Sequence, residues 1–452
     1  MTGSTHRLGL VLLLAGPLVS TACSEAPDRR ETSATTTADV SADAAPRVTS
    51  KTSEWSVGGI VSGRVETTTR EPVAAPPAIV EPEFPRQEQP TPQSGLLTAG
   101  DADDLLNPAQ YAGYAGRFLQ QHGTGLPFVD TRTRVTIRVV DARGRPVPFA
   151  RADVSRSGAP LRLTTAADGT ASFFPRFDHV PQQTTVSVSA PSGTAKRLFS
   201  SDGSRALRVA LPGVSAPPAA MDLALVVDTT GSMGDEMAYL GAELQAIVSR
   251  LQRNAGNTDL RIGLILYRDD GDDYVVRSVP LTGDVDAIRT MLKNQKADGG
   301  GDMPEAMDQA LAAATRLQWR PQAAKALLLM TDAPPHEETV ASALSSAGRL
   351  REAGVQIVPV AASGVDDTAQ YVLRTMAAMT QGRYIFLTDD SGIGDAHAEP
   401  DVACYLVTRL DQLVARVLAG IATGQRIEPR GDDVIRTVGD YHRGRCGAPR
   451  QS

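Results

Sequence analysis

Asp228, Thr230 and Ser232 stand at alternate positions in the stretch MDLALVVDTTGSM, residues 221–233. One carboxylate and two hydroxyls at that spacing offer three oxygens to one small space. Hard divalent cations such as Mg²⁺ take oxygen donors in near-octahedral geometry at about 2.0–2.1 Å. The same residue types also cap helix N-termini, so the pentapeptide needs a second group to decide its meaning. Asp332, which ends another apolar run, supplies one.

The elements that must position these groups can be read from hydrophobic spacing. Residues 223–227 are an unbroken apolar run, as a strand buried on both faces requires. The run stops at Asp228, Gly231 lets the chain turn, and a helix is expected from about Gly234, with Met237, Leu240, Leu244, Ile247, Val248 and Leu251 on one face. Strands are expected at 260–267 and, after the acidic turn Arg268-Asp-Asp-Gly-Asp-Asp-Tyr, at 275–279, the pair forming an antiparallel hairpin. A helix at 286–294 is followed by a Gly-rich loop, Asp298-Gly-Gly-Gly-Asp302-Met-Pro-Glu305, and a helix to 314 with Pro304 at its start. Strand 326–331 ends at Thr331-Asp332. Helix 340–353, strand 356–361, helix 369–379, strand 383–387 and a last helix at 402–421 complete the series. Such alternation specifies an α/β fold, a doubly wound, mostly parallel sheet with helices on both faces. Ligands of such sheets bind outside the carboxyl ends of the strands, where Asp228 and Asp332 both fall.

Asp228-Thr-Thr-Gly-Ser232 and Thr331-Asp332 resemble the first and third motifs of the metal-ion-dependent adhesion site of von Willebrand factor type A (vWA) domains. Gly-Gly-Asp-x-Pro-Glu (residues 300–305), Tyr267-Arg-Asp269 and Thr331-Asp-Ala-Pro-Pro-His336 resemble the hemicentin-like branch. The resemblance spans about residues 220–424. It implies a divalent cation, Mg²⁺ or else Mn²⁺ or Ca²⁺, held by Asp228, Thr230, Ser232 and Asp332. The middle motif departs from the pattern: where a threonine is usual this chain has the Gly-rich loop, and Asp302 is the candidate in its place.

Ahead of this domain the composition changes several times. Residues 1–23 read as a signal peptide, with His6-Arg7 before an apolar core too short to span a bilayer. Its end, Leu-Val-Ser-Thr-Ala-Cys23, resembles a bacterial lipobox, although Ser20 stands where leucine is usual; the resemblance implies lipidation of Cys23. Residues 24–95, rich in Ala, Thr, Ser, Pro and Glu, read as a disordered tether that buries too little surface to order itself. Residues 96–130 read as a lead-in helical segment carrying Tyr111, Tyr114 and Phe118. In residues 131–213 the period becomes two, and about seven short strands argue for a β-sandwich; the run from Val135 resembles the carboxypeptidase-regulatory or transthyretin-like sandwich. Residues 425–452 form a C-terminal tail. Cys404 and Cys446, an even pair in an exported chain, are expected to form a disulfide.

The 452 residues carry a net charge of −7, which gives no basic field for nucleic acid. No Gly-Lys-Ser/Thr phosphate loop, Gly-x-Ser-x-Gly elbow or His-Glu-x-x-His is present, so no nucleotide partner is expected. The expected function is therefore non-enzymatic: a protein of the bacterial cell envelope, held at the membrane by a lipid anchor or else secreted, whose cation takes a carboxylate from a partner protein. A metal-dependent hydrolase, with Glu305 or His336 as base and the acidic rim around Asp269, Asp270, Asp272 and Asp273, is one alternative. A structural surface scaffold is the other.

Overall fold

A computed structural model of the protein describes residues 93–447 apart from 124, 236, 255–257, 302, 394–396 and 398–399. The signal peptide, Cys23, the tether through residue 92, Asp302 and residues 448–452 lie outside the described residues. The chain opens with strand β1 (Thr98–Ala102) and helix α1 (Pro108–His122). Seven short strands follow: β2 (Val135–Val140), β3 (Arg151–Val154), β4 (Leu161–Thr164), β5 (Thr170–Phe173), β6 (Gln183–Ala190), β7 (Gly193–Ser200) and β8 (Ala206–Ala210). They form two sheets, ordered β5-β2-β8 and β4-β3-β6-β7. Their inward residues, Val135, Ile137, Val139, Ala152, Val154, Val186 and Val188 among them, share one apolar core, which is why the period of two is so clear.

The second half contains β9 (Ala220–Asp228), α2 (Met237–Asn254), β10 (Asp259–Tyr267), β11 (Val276–Thr282), α3 (Val285–Lys293), α4 (Met307–Thr315), β12 (Ala324–Thr331), α5 (Val340–Glu352), β13 (Val355–Ala361), α6 (Asp367–Thr380), β14 (Tyr384–Thr388), β15 (Tyr405–Arg409), α7 (Leu410–Thr423) and β16 (Arg436–Val438). One nine-stranded sheet results, in the order β11-β10-β9-β12-β13-β14-β1-β15-β16. Strands β9, β10, β12, β13 and β14 run parallel, and β11 joins them antiparallel. Alternate residues of β9 face opposite layers. Ala224 and Val226 pack with α1, α4, α5 and α6, whereas Leu223, Leu225 and Val227 pack with α2, α3 and α7. Two apolar layers explain why β9 is apolar at every position from Leu223 to Val227 rather than at every second one.

Three stretches differ from the sequence-based expectation. The lead-in segment is not wholly helical, because Thr98–Ala102 is a strand between β14 and β15. It pairs antiparallel with both, Thr98 opposite Thr388 and Arg409. Its Gly100 has no substitute: a Cβ there would lie 2.6 Å from the Phe386 ring and 2.8 Å from Tyr405. The last helix does not begin at residue 402; residues 405–409 are β15, and α7 starts at Leu410. Part of the tail returns to the sheet as β16, paired with β15. Smaller shifts occur at helix starts. A 3₁₀ turn, Gly231–Asp235, precedes α2, and α4 begins at Met307, past Pro304.

Cys404 and Cys446 are bonded across 42 residues, their Cα atoms 5.4 Å apart. Closing a loop of that size removes unfolded-state entropy worth about 4 kcal/mol. Among the described residues, no helix is long and apolar enough to cross a membrane.

The chain entering β1 is gripped by a buried carboxylate. Glu243 on α2 is fully buried, and its Oε1 accepts N–H bonds from Gly95 (2.8 Å), Leu96 (3.2 Å) and Leu97 (3.2 Å). Burial pushes its carboxyl up to about 7, the three N–H groups opposing the shift and Asp411 adding to it. A folded-state value above the ordinary one means that the folded protein holds this proton more tightly than the unfolded chain. The resulting stability is complete below about pH 4.5 and is lost as the pH rises through about 7. Glu243→Gln, which keeps an acceptor oxygen, is expected to raise stability at pH 8 by up to about 3 kcal/mol and to flatten its fall between pH 5 and 8. Urea denaturation at the two pH values measures this; an unchanged pH slope would count against it.

Candidate functional site

The order of the sheet puts its switch point between β9 and β12. After β9 the chain crosses to β10 on one side, then returns beyond β9 to β12 on the other. Register aligns the carboxyl ends: Asp228 lies opposite Tyr267, and Val227 opposite Met330. The crevice above this point is where doubly wound sheets receive ligands.

Asp228 is fully buried there. Its Oδ1 accepts bonds from the Thr230 N–H (3.1 Å) and the Thr230 hydroxyl (2.7 Å), and its Oδ2 accepts the Thr331 hydroxyl (3.0 Å). The Thr230 and Ser232 hydroxyl oxygens are 3.2 Å apart, with Thr230 buried and Ser232 exposed toward the crevice mouth. Asp332 is also buried, one residue past the end of β12. The structure thus gathers four of the five residues read from the sequence, Asp228, Thr230, Ser232 and Asp332; the fifth, Asp302, lies outside the described residues.

Three further residues contribute, none of them among the expected ligands of the cation. Thr331 orients Asp228 from the neighbouring strand. Tyr267, also fully buried, places its ring and hydroxyl beside Asp228 and Thr331. Glu305 is 2% exposed, and its Oε2 is sealed from solvent with no hydrogen-bond partner among the described residues. Its backbone is fixed, its N–H bonded to the Pro334 carbonyl (3.0 Å). The signal for Glu305 was the Pro-Glu that follows the Gly-rich loop, but its sequence position says nothing about the direction of its side chain.

The acidic hairpin turn between β10 and β11 lies against the site as part of its scaffold. Asp272 Oδ2 accepts the N–H groups of Gly300 (2.9 Å) and Asp269 (3.1 Å), holding the Gly-rich loop to the hairpin. Both Gly299 and Gly300 have positive φ (+78° and +68°). A Cβ on Gly300 would meet Glu305 Oε1 at 3.0 Å and Thr230 Cβ at 3.1 Å, so only glycine lets this loop close over the site. Asp269 Oδ1 lies 2.7 Å from His336 Nε2, tying the hairpin to the loop after β12. The Gly231 N–H donates to the Gly299 carbonyl (2.9 Å) and the Asp298 N–H to the Thr229 carbonyl (3.1 Å), which completes the frame.

Electrostatically the pocket is strongly negative. Burial raises the Asp228 carboxyl above its ordinary range despite the bonds from Thr230 and Thr331. Burial, then the charges of Asp228, Asp269, Asp332 and Asp272, push Glu305 up to about 9. Among the described residues, no three His, Cys, Asp or Glu side chains are gathered closely enough to hold a metal by themselves. Hydroxyls and water would have to complete any coordination. The donor set is nevertheless all oxygen, and a buried carboxylate oxygen with no partner is a group that a cation's shell would satisfy.

The β-sandwich docks away from this crevice. Arg351, at the end of α5, donates to both oxygens of Asp178 (2.7 and 2.9 Å) and to the Ser172 carbonyl (2.7 Å). Thr164 donates to the Glu352 carbonyl (2.8 Å), and Gln381, just before β14, donates to Thr170 (3.3 Å). These contacts lie where β13 and β14 begin, at the sheet edge opposite the strand ends that carry Asp228.

The chain is 35% identical over 121 residues to an ariadne-like RING finger protein, R811, of Acanthamoeba polyphaga mimivirus. That match covers 27% of this chain and 12% of the relative, so the chain spans about an eighth of the length of the curated relative it matches. A solved structure, the conserved hypothetical protein BatB of Bacteroides thetaiotaomicron, is similar over 45% of this chain and 98% of its own, at 14% identity and a TM-score of 0.32. Residues 222–398 match the von Willebrand factor type A domain family. On that match, and on a mostly parallel sheet with helices on both faces, the protein carries a von Willebrand factor type A domain built around the strand that ends at Asp228.

Proposed function

We propose that the domain is a divalent-cation-dependent binding module of an exported, envelope-anchored protein, and that it binds an acidic group of a partner protein. The observation that carries this reading is Asp228: a fully buried carboxylate at the switch point, oriented by two threonines, with the carboxylates of Asp332 and Glu305 nearby. Asp228, Thr230, Ser232 and Asp332 would hold the cation, Mg²⁺ or else Mn²⁺ or Ca²⁺, with Asp302 of the Gly-rich loop as the further candidate ligand. The cation supplies an electrophilic anchor for a carboxylate oxygen. The disulfide agrees with an oxidising compartment, and anchoring through Cys23 belongs to the same proposal.

A hydrolase reading needs a base at this crevice. The acid–base groups such a reading would have are Glu305, pushed up to about 9 by burial and the neighbouring carboxylates when no cation is bound, and His336, paired with Asp269. The test is a pull-down from envelope extract with and without EDTA, using Asp228→Ala as control. A partner retained only with cation and only by the unsubstituted protein supports the proposal; retention indifferent to EDTA overturns it.

A further inference from the structure

Glu305 is the buried acid at this site that the expected ligand set leaves unused. Burial apart, the groups acting on it most strongly are the carboxylates of Asp228, Asp269, Asp332 and Asp272. Its Oε2 is sealed from solvent without a hydrogen-bond partner among the described residues, a costly state for any carboxylate. It does not sit there by accident of a loose loop. The Glu305 N–H is bonded to the Pro334 carbonyl, residue 305 bridges to Pro335, and Gly300 lacks the Cβ that would meet Glu305 Oε1 and Thr230. The fold therefore holds a carboxylate from the middle loop against the Thr230 side of the crevice.

Resting on the cation-binding reading above, we propose that Glu305 is the middle-loop carboxylate of the cation site, accepting a hydrogen bond from a water in the cation's shell where a threonine hydroxyl is usual. Two facts place it one shell out rather than on the ion. No three acidic or histidine side chains among the described residues are close enough to hold a metal directly, and Mg²⁺ keeps several of its waters. A carboxylate in that position orients the water and strengthens cation retention before any partner arrives. The orphaned oxygen then gains its donor, and four mutually repelling carboxylates gain a counter-charge.

Glu305→Gln preserves shape and removes the charge. Mn²⁺ titration calorimetry is expected to show about 10–100-fold weaker binding than the unsubstituted protein. The melting temperature in EDTA should be equal or higher, because the amide keeps the shape of the side chain and adds no charge beside the surrounding aspartates. Unchanged Mn²⁺ affinity overturns the assignment, and so does a lowered melting temperature in EDTA, which would mark Glu305 as a packing group. Asp228→Ala separates the two claims. If the unsubstituted protein binds no Mn²⁺, or Asp228→Ala binds it equally well, the cation site itself fails. If binding is lost in Asp228→Ala but intact in Glu305→Gln, only the role of Glu305 fails.

Discussion

Asp228→Ala is expected to abolish Mn²⁺ and Mg²⁺ binding, an affinity loss of more than about 100-fold, while the protein stays folded. Both halves of that result follow from where the side chain lies. Asp228 is a fully buried carboxylate of the crevice, and Thr230 and Thr331 aim its two oxygens. Its removal takes away the principal charge that a cation would meet. The folded state nevertheless survives, because burial already disfavours the ionised carboxyl, as its raised pKa records. Asp228→Asn refines the measurement by keeping the shape and one acceptor oxygen, enough for Thr230, while the Thr331 hydroxyl can donate to the Ala333 carbonyl (3.1 Å) instead. In EDTA it should melt no lower than the unsubstituted protein. Cation-linked stabilisation, about 2.7 kcal/mol at a concentration 100-fold above Kd, should appear only in the unsubstituted protein. Calorimetric binding that persists in either variant would remove Asp228 from the site.

The second large effect concerns architecture rather than ligand. Arg351→Ala is expected to destabilise the protein by about 3–5 kcal/mol in urea denaturation, because it leaves Asp178 buried without its counter-ion. Arg351 and Asp178 are both almost fully buried, with side chains 7% and 4% exposed. The arginine also satisfies the Ser172 carbonyl and lies 5.5 Å from the centre of the Phe174 ring. Asp178 holds its own turn in turn, accepting the Phe174 N–H at 2.7 Å. Loosening should be local to the sandwich, with new protease sensitivity in residues 131–213. Mn²⁺ affinity should stay within about twofold, since sites without shared partners respond nearly independently. A loss below about 1 kcal/mol would show that the pair is not what fixes the sandwich to α5.

The apolar run of β9 was legible in the sequence because burial on both faces leaves a local, uninterrupted mark. From that strand and the one ending at Thr331, the convergence of Asp228 and Asp332 followed, since parallel strands in register bring their ends to one edge. Thr230 and Ser232 were legible for the same reason, lying one turn from a strand end. The sequence could not assign β1. Thr-Ala-Gly-Asp-Ala has no strand signature of its own, and its partners, such as Thr388 and Arg409, are some 290 and 311 residues away. Leu406, Val407 and Leu410 satisfy a helical period, yet residues 405–409 form a strand because β1 and β16 supply neighbours on either side.

At the site the division is equally physical. Residue types and spacing determined which oxygens could meet a cation, because a strand end and the turn after it are local geometry. Direction and burial were decided by tertiary structure alone. Only the packed fold turns Thr331 onto Asp228, staples the Gly-rich loop with Asp272, and seals Glu305 among four aspartates. Those relations depend on contacts between residues far apart in the chain, and on the exclusion of water that only a closed core provides.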